Sequence, residues 1–279
     1  MGTTGYQALL PGVLDIARQA GDAIRAIYRQ QITVSRKHDD SLLTNADQAA
    51  HDLITAQLDR LTPHIPVLSE EAQPRHWAER RHWERYWLVD PLDGTRQFVR
   101  RSDQFSVNIA LVVRHRPVLG VIHAPMRRLD WFGGPGLGAW RRLQNRPAIP
   151  IGPRRPPERP LRVVLGGSSP GPRTRRLLAR LPHHELLTMG AAIKFCMVAD
   201  GDADFFPRYG PISEWDLGAA QAILEAAGGR LLYMETLEPV RYNQRPSTTL
   251  QDVLAIGDSA MDWSAIFGAL DRKYEPLTK

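Results

Sequence analysis

Trp87-Leu88-Val89-Asp90-Pro91-Leu92-Asp93-Gly94-Thr95 reads as a hydrophobic strand that ends by delivering two carboxylates three residues apart. Pro91 fixes one φ angle between them, and Gly94 lets the backbone pass tightly beside a ligand. Asp90 and Asp93 can therefore converge on one small volume. Two bare carboxylates that close repel each other, and a hard divalent cation is the simplest neutraliser. Thr95 adds a hydroxyl and a backbone N–H beside them. The same letters also fit a capped turn with two solvent-facing acids.

Other acids fit around that centre. Ser69-Glu70-Glu71 closes a short strand, Ile65 to Leu68, just as Asp90 closes Tyr86 to Val89, so both can lie on one sheet edge. Glu214-Trp215-Asp216 precedes an alanine- and leucine-rich helix, Leu217 to Ala227, where Asp216 can be an N-cap or a ligand. Several carboxylates at element ends, scattered histidines and a single cysteine, Cys196, favour Mg²⁺ or Mn²⁺ over zinc. The usual competitors are missing. There is no Gly-x-Gly-x-x-Gly followed by an acid, no Gly-x-x-x-x-Gly-Lys-Ser/Thr loop and no Gly-x-Ser-x-Gly elbow.

Outward from this centre, the helix period runs from Tyr6 to Tyr28 and again after Thr44-Asn45-Ala46-Asp47, where Thr44 can cap. The polar stretch Ser35 to Ser41 between them reads as a turn or hairpin. Phe105 to Val113 alternates at period two, and Val118 to His123 and Leu129 to Phe132 are its expected antiparallel neighbours. After a Pro/Arg-rich stretch near 147–160 come a strand at Leu161–Leu165 and a helix at Thr174–Leu181. A helix at Met189–Ala199, a strand at Ala203–Phe206 and a helix at Glu214–Ala227 follow, then a strand at Val253–Ile256 and a helix at Ser259–Leu270. This grammar predicts a layered α/β fold (α+β in some schemes). The expected division is an N-terminal α+β part, residues 1–150, carrying most of the acids, and a C-terminal α/β part, residues 151–279, carrying Asp216.

The chain has 279 residues, enough to bury roughly three quarters of its unfolded surface. No apolar run reaches the 18 or so residues of a membrane helix, and no charged residue precedes Asp15, so the expectation is a soluble cytoplasmic protein without stable membrane association. The formal charge is +6. It is concentrated between Arg141 and Arg176, where ten arginines face one acid, Glu158. A nucleic-acid module could look like this, but the stretch is broken by prolines and no aromatic residues interleave with its arginines. The reading is a solvated basic region and no nucleic-acid partner.

Asp90-Pro91-Leu92-Asp93-Gly94-Thr95, Ser69-Glu70-Glu71 and Glu214-Trp215-Asp216-Leu217-Gly218-Ala219-Ala220 resemble the signatures of the lithium-sensitive, magnesium-dependent phosphatases that include inositol monophosphatase. Within that superfamily, Asp39 to Asp47, Gly190 to Cys196 and Phe206 to Pro211 resemble the bacterial 3′(2′),5′-bisphosphate nucleotidase branch. The resemblance spans nearly the whole chain. It implies a layered α-β-α-β-α fold of the sugar-phosphatase type and hydrolysis of a small anionic phosphoester with two or three Mg²⁺ ions (or Mn²⁺), by a monomer or homodimer. It implies that Glu70, Asp90, Asp93, the Leu92 carbonyl and Asp216 hold metal. Asp47 and Thr95, with Glu70 beside them, would be catalytic and polarise the attacking water. Gly94 and Thr95 would hold the phosphate, and Lys194, Arg208 and Asp216 would face the rest of the substrate. Adenosine 3′,5′-bisphosphate is the expected substrate, with inositol monophosphate or fructose 1,6-bisphosphate as alternatives. Three departures touch recognition. Ala191 and Ala192 stand where the branch usually has serines, Ile212 where it has threonine, and Gly167-Ser168-Ser169-Pro170 where a Ser-Arg-Ser-His stretch is common.

Overall fold

A computed structural model of the chain describes residues 4–30, 32–36, 42–154, 160–167, 169–181 and 183–263. It opens with a short helix, α1 (Thr4–Gln7), and a long one, α2 (Leu10–Tyr28). The hydrophobic period runs unbroken across both, but Pro11 has no N–H to donate and its ring crowds the carbonyl four residues back. The helix therefore breaks before it and restarts with the proline in its first turn. Strands β1 (Val34–Arg36) and β2 (Leu42–Thr44) pair antiparallel, as a hairpin requires, while the turn residues 37–41 lie outside the described residues. α3 (Asn45–Leu61) starts where Thr44 caps it. The Thr44 hydroxyl accepts the Ala46 N–H at 3.2 Å, and the Asp47 carboxylate accepts the Thr44 N–H at 2.7 Å.

The first sheet has seven strands in chain order: β3 (Val67–Ser69), β4 (Arg85–Asp93), β5 (Ser106–Val113), β6 (Arg116–Ala124), β7 (Leu129–Gly134), β8 (Gly138–Leu143) and β9 (Ile149–Pro150). A short helix, α4 (Trp77–Arg80), crosses from β3 to β4, the sheet's one parallel pair, and α5 (Thr95–Val99) links β4 to β5. β4 continues four residues beyond Val89. Pro91 supplies no ladder donor, so the pairing slips between Asp90 and Asp93: three steps along β4 match two along β5, from Asn108 to Ser106.

The second sheet contains β10 (Leu161–Leu165), β11 (His184–Thr188), β12 (Phe205–Ser213), β13 (Arg230–Tyr233) and β14 (Thr249–Ile256), in the order β11-β10-β12-β14-β13. Among the described residues, three helices belong to this half: α6 (Pro172–Leu178), α7 (Ile193–Asp200) and α8 (Glu214–Ala227). α7 begins four residues later than its hydrophobic pattern, because Ala191 sits at φ +52°, a left-handed conformation that interrupts a helix. The helix expected at Ser259–Leu270 begins as turns over Ser259–Trp263, and the remainder lies outside the described residues.

Strand alternation sorts these elements into five layers, α-β-α-β-α. Trp87, Val89, Ile109, Leu111 and Val121 face α2 and α3 in one core, while Leu88, Ala110, Val112 and Ile122 face α7 and α8 in the next. The second sheet divides likewise. Val164, Phe206, Val253 and Ala255 join the central core, and Val163, Phe205, Leu254 and Ile256 pack with Leu177 and Leu178 of α6. α8 lies very close to the first sheet: a Cβ on Gly120 would stand 2.3 Å from the Ala219 carbonyl oxygen. Shaving a buried leucine here, such as Leu88→Ala, is expected to cost about 2–5 kcal/mol. That tight packing holds the N-terminus of α8 against the end of β4. No helix among the described residues is long and apolar enough to cross a membrane.

Candidate active site

Five element ends meet at one point. Asp47 lies in the first turn of α3, Glu70 follows β3, Asp90 and Asp93 close β4, Thr95 opens α5 and Asp216 lies in the first turn of α8. The Glu70 N–H donates to the Val89 carbonyl at 3.1 Å, which fixes the ends of β3 and β4 side by side. Glu70, Asp90 and Asp216 each offer an oxygen within 4.8 Å of the other two. Asp93 is not one of this trio but lies close enough for its charge to act on Asp90 and Asp216. Its Oδ2 accepts the Ala192 N–H at 2.5 Å and the Asn108 amide at 3.2 Å.

The second cluster joins α3 to α5. The Thr95 hydroxyl lies 3.1 Å from Asp47 Oδ1 and 3.2 Å from the Leu92 carbonyl oxygen, and the other Asp47 oxygen is taken by Thr44. Asp90 turns one oxygen back to the Leu92 N–H at 3.1 Å, a local bond that sets the proline corner. Gly94 occupies φ +93°, and a Cβ there would meet the Gln104 carbonyl oxygen at 3.0 Å. Any side chain would push Thr95 off this position.

The electrostatics follow from crowding. Burial, then the charges of Glu70, Asp93, Asp216 and Asp47, pushes the Asp90 carboxyl well above the usual range. Burial, then Asp93 and Glu70, pushes Asp216 up to about 8. Asp93 is raised by burial although Lys194 and its two N–H donors oppose the shift. Asp47 is raised mainly by burial, against its bonds to Thr44 and Thr95. The half-buried Lys194 is lowered by burial despite the attraction of Asp93 and Asp216. Several carboxylates that destabilise one another's charge, with oxygen donors only, make a donor set suited to a hard divalent cation.

Lys194 and Arg208 are less exposed to a ligand than their charges suggest. The Lys194 ammonium donates to the Ala191 carbonyl at 2.6 Å and stands over the Phe206 ring. The Arg208 guanidinium donates to the carbonyls of Tyr209 (2.6 Å) and Pro211 (2.8 Å), across the bulge of its own strand. Ala191 and Ala192 are buried against the β4–α5 corner, and Ile212 is half-buried. Glu214 turns away from the acids, accepting the Asn243 N–H, and burial pushes it up to about 7.

Asn108 and Ser106 were not legible as site residues, although they are the two polar residues in the apolar run of β5. The basic stretch also resolves. Among the described residues, Arg141, Arg142, Arg154, Arg162 and Arg173 pair with Asp200, Asp130, Asp204, Glu185 and Asp252, so these five arginines of the stretch neutralise acids from elsewhere in the chain.

Residues 6–266 match the family model described as the inositol monophosphatase family. A protein of Salmonella typhimurium described as 3′(2′),5′-bisphosphate nucleotidase CysQ is 43% identical over 225 residues, covering 80% of this chain and 89% of the relative. Its counterpart in Escherichia coli K12, described in the same words, is 40% identical over 241 residues, covering 86% and 96%. Among solved structures, CysQ from Bacteroides thetaiotaomicron, described as a bacterial member of the inositol monophosphatase family, superposes with a TM-score of 0.79. It is 33% identical and covers 90% of this chain and 98% of that one.

Proposed function

The chain belongs to the inositol monophosphatase family and is a phosphatase, and from that premise we propose that it is a magnesium-dependent 3′(2′),5′-bisphosphate nucleotidase. Adenosine 3′,5′-bisphosphate is its substrate, AMP and inorganic phosphate its products, and 3′-phosphoadenosine 5′-phosphosulfate a second candidate substrate. The approach of Glu70, Asp90 and Asp216 to within 4.8 Å, beside the Asp47–Thr95 pair, is the observation that carries the chemistry. The choice of substrate is supported by the descriptions of the relatives at 40–43% identity.

Glu70, Asp90, Asp93, Asp216 and the Leu92 carbonyl would hold two or three Mg²⁺ or Mn²⁺ ions. Such ions supply a water nucleophile at neutral pH and stabilise the oxygen of the leaving group. Thr95 directs its hydroxyl proton to Asp47 Oδ1 and so turns its lone pairs toward a water. The water's proton can pass to Thr95 Oγ as the hydroxyl's own proton moves to Asp47, whose affinity for a proton is raised by burial. The first N–H groups of α5, at the Gly94–Thr95 corner, have no partner within so short a helix and can hold phosphate oxygens. Lys194 faces the substrate as a point charge, and Arg208 can receive a second phosphate if it exchanges a backbone carbonyl for it. Asp216 borders the same space as Lys194, close enough to raise its proton affinity.

The enzyme would act in the cytoplasm, as a monomer or homodimer, with no nucleic-acid partner. The pairing of five basic-stretch arginines with acids supports the last point. A second reading, preference for inositol monophosphate or fructose 1,6-bisphosphate, is favoured by the apolar Ala191, Ala192 and Ile212 and by the backbone bonds of Arg208. Comparison of kcat/KM at fixed Mg²⁺ for adenosine 3′,5′-bisphosphate, 3′-AMP, inositol 1-phosphate and fructose 1,6-bisphosphate decides between them. Adenosine 3′,5′-bisphosphate should lead 3′-AMP by about tenfold or more, since a site built for a second phosphate penalises its loss. An equal lead for inositol 1-phosphate or the sugar bisphosphate would overturn the nucleotidase reading and leave the phosphatase standing.

A further inference from the structure

Asp93 is gripped on one side only. Its Oδ2 takes two N–H donors, from Asn108 and from the Ala192 backbone, while its Oδ1 accepts no hydrogen bond among the described residues. The Asn108 side chain is itself held: the Ser106 hydroxyl donates to its amide oxygen at 2.9 Å. Asn108 is 1% exposed and Ser106 fully buried, so neither can exchange its partner for water. The chemistry fixes the sense of the chain of bonds. An ionised carboxylate only accepts, so Asn108 must present its amino group to Asp93, and its oxygen then needs a donor, which Ser106 provides.

The backbone builds this relay. Ser106 pairs opposite Asp93 and Asn108 opposite Asp90, and the bulge between the two acids brings the Asp93 carboxylate back over Asn108. Both polar residues occupy the face of β5 that otherwise carries Ala110 and Val112 into the central core. Neither is needed to continue that apolar face. A buried amide there is a cost unless it is bonded; its oxygen is met by Ser106, and its amino group donates to the Asp93 carboxylate.

We propose that Asn108, set by Ser106, is a positioning residue that pins Asp93 through Oδ2, leaves Oδ1 as its metal-binding oxygen, and thereby sets the affinity of the site for its divalent cation. The inference rests on Asp93 being a metal ligand. Because Ala192 donates to the same Oδ2, two residues before Lys194, the relay also ties the metal centre to the segment that carries the substrate-facing ammonium.

The test is Mn²⁺ binding, read by electron paramagnetic resonance on the metal-stripped full-length chain, for wild type, Asn108→Leu, Ser106→Ala and Asp93→Asn. Asn108→Leu should raise the Mn²⁺ dissociation constant by about 10- to 100-fold, the usual effect of removing an outer partner of a ligand. Its KM at saturating metal should stay near wild type, which a general loosening of the site would not allow. Ser106→Ala should raise the constant less, in the same direction. Unchanged Mn²⁺ affinity in a folded Asn108→Leu protein overturns the proposal; if that variant does not fold, Ser106→Ala decides, and wild-type affinity there overturns it. If Asp93→Asn also binds Mn²⁺ normally, the ligand assignment has failed. If Asp93→Asn loses binding while Asn108→Leu keeps it, only the positioning role has failed.

Discussion

Asp216→Asn should make the metal-free protein more stable at pH 8. In the fold, Asp216 is pushed up to about 8 by burial and by the charges of Asp93 and Glu70, whereas its unfolded value is near 3.9. A raised carboxyl means that the folded state binds the proton more tightly than the unfolded chain. Stability therefore falls as pH rises from about 4 to about 8 and levels off beyond. A shift of about four units corresponds at most to roughly 5 kcal/mol at 1.36 kcal/mol per unit. Asp216 is half-buried, and solvent screening reduces this to about 2 kcal/mol. Asparagine removes the charge but keeps an oxygen to accept the Ser213 N–H, bonded at 3.1 Å in the wild type, so the start of α8 survives. Scanning calorimetry in a chelator should place the variant about 4–8 °C above wild type at pH 8, taking 2–4 °C per kcal/mol. The gap should mostly close by pH 5. Added Mg²⁺ should then raise wild type more than the variant, because it binds the native state only. An equal or lower melting point for metal-free Asp216→Asn at pH 8 would refute the reasoning and make the carboxylate a structural cap.

Thr95→Ala removes the hydroxyl that joins Asp47 to the β4–α5 corner but leaves the backbone donors, so turnover should fall by about 10²- to 10⁴-fold. Calorimetric Mg²⁺ titration should give nearly wild-type affinity for that variant; a loss matching Asp90→Asn would make Thr95 structural. Gly94→Ala forces a side chain into φ +93° against the Gln104 carbonyl and should cost about 1–3 kcal/mol by urea unfolding, with turnover lost as well. Lys194→Met preserves the packing over Phe206 without the charge. Its kcat/KM should drop further for adenosine 3′,5′-bisphosphate than for 3′-AMP, and equal losses would remove Lys194 from recognition of the second phosphate.

The carboxylates were legible because each stands at the end of an element whose pattern is strong. Asp90 and Asp93 close an apolar strand, Asp216 opens an alanine-rich helix, and Thr44 announces α3 with Asp47 in its first turn. The approach of Glu70 and Asp216 to Asp90 was not contained in local spacing, since it depends on β3 and β4 pairing in parallel and on α8 lying against the first sheet. The relay from Ser106 to Asp93 was hidden for the same reason. A polar residue in an apolar strand signals a buried partner but does not say which one, and here the partner lies across a bulge. β8, β9, β11 and β13 escaped notice because they are short or half-exposed, with little alternation to register. The basic stretch misleads in the opposite direction: its arginines are adjacent in sequence, while their acids, Asp130, Asp200, Asp204, Glu185 and Asp252, are scattered along the chain.

Phosphate release from adenosine 3′,5′-bisphosphate by the metal-stripped full-length protein, before and after Mg²⁺ is restored, tests the central claim most directly. Turnover should be absent without metal and return with Mg²⁺ in the wild type, while Asp93→Asn, folded but lacking one carboxylate charge, should stay inactive at the same Mg²⁺ concentration. Turnover that persists without metal, or an Asp93→Asn protein that Mg²⁺ restores fully, would contradict the assignment of the acidic cluster as the catalytic metal centre.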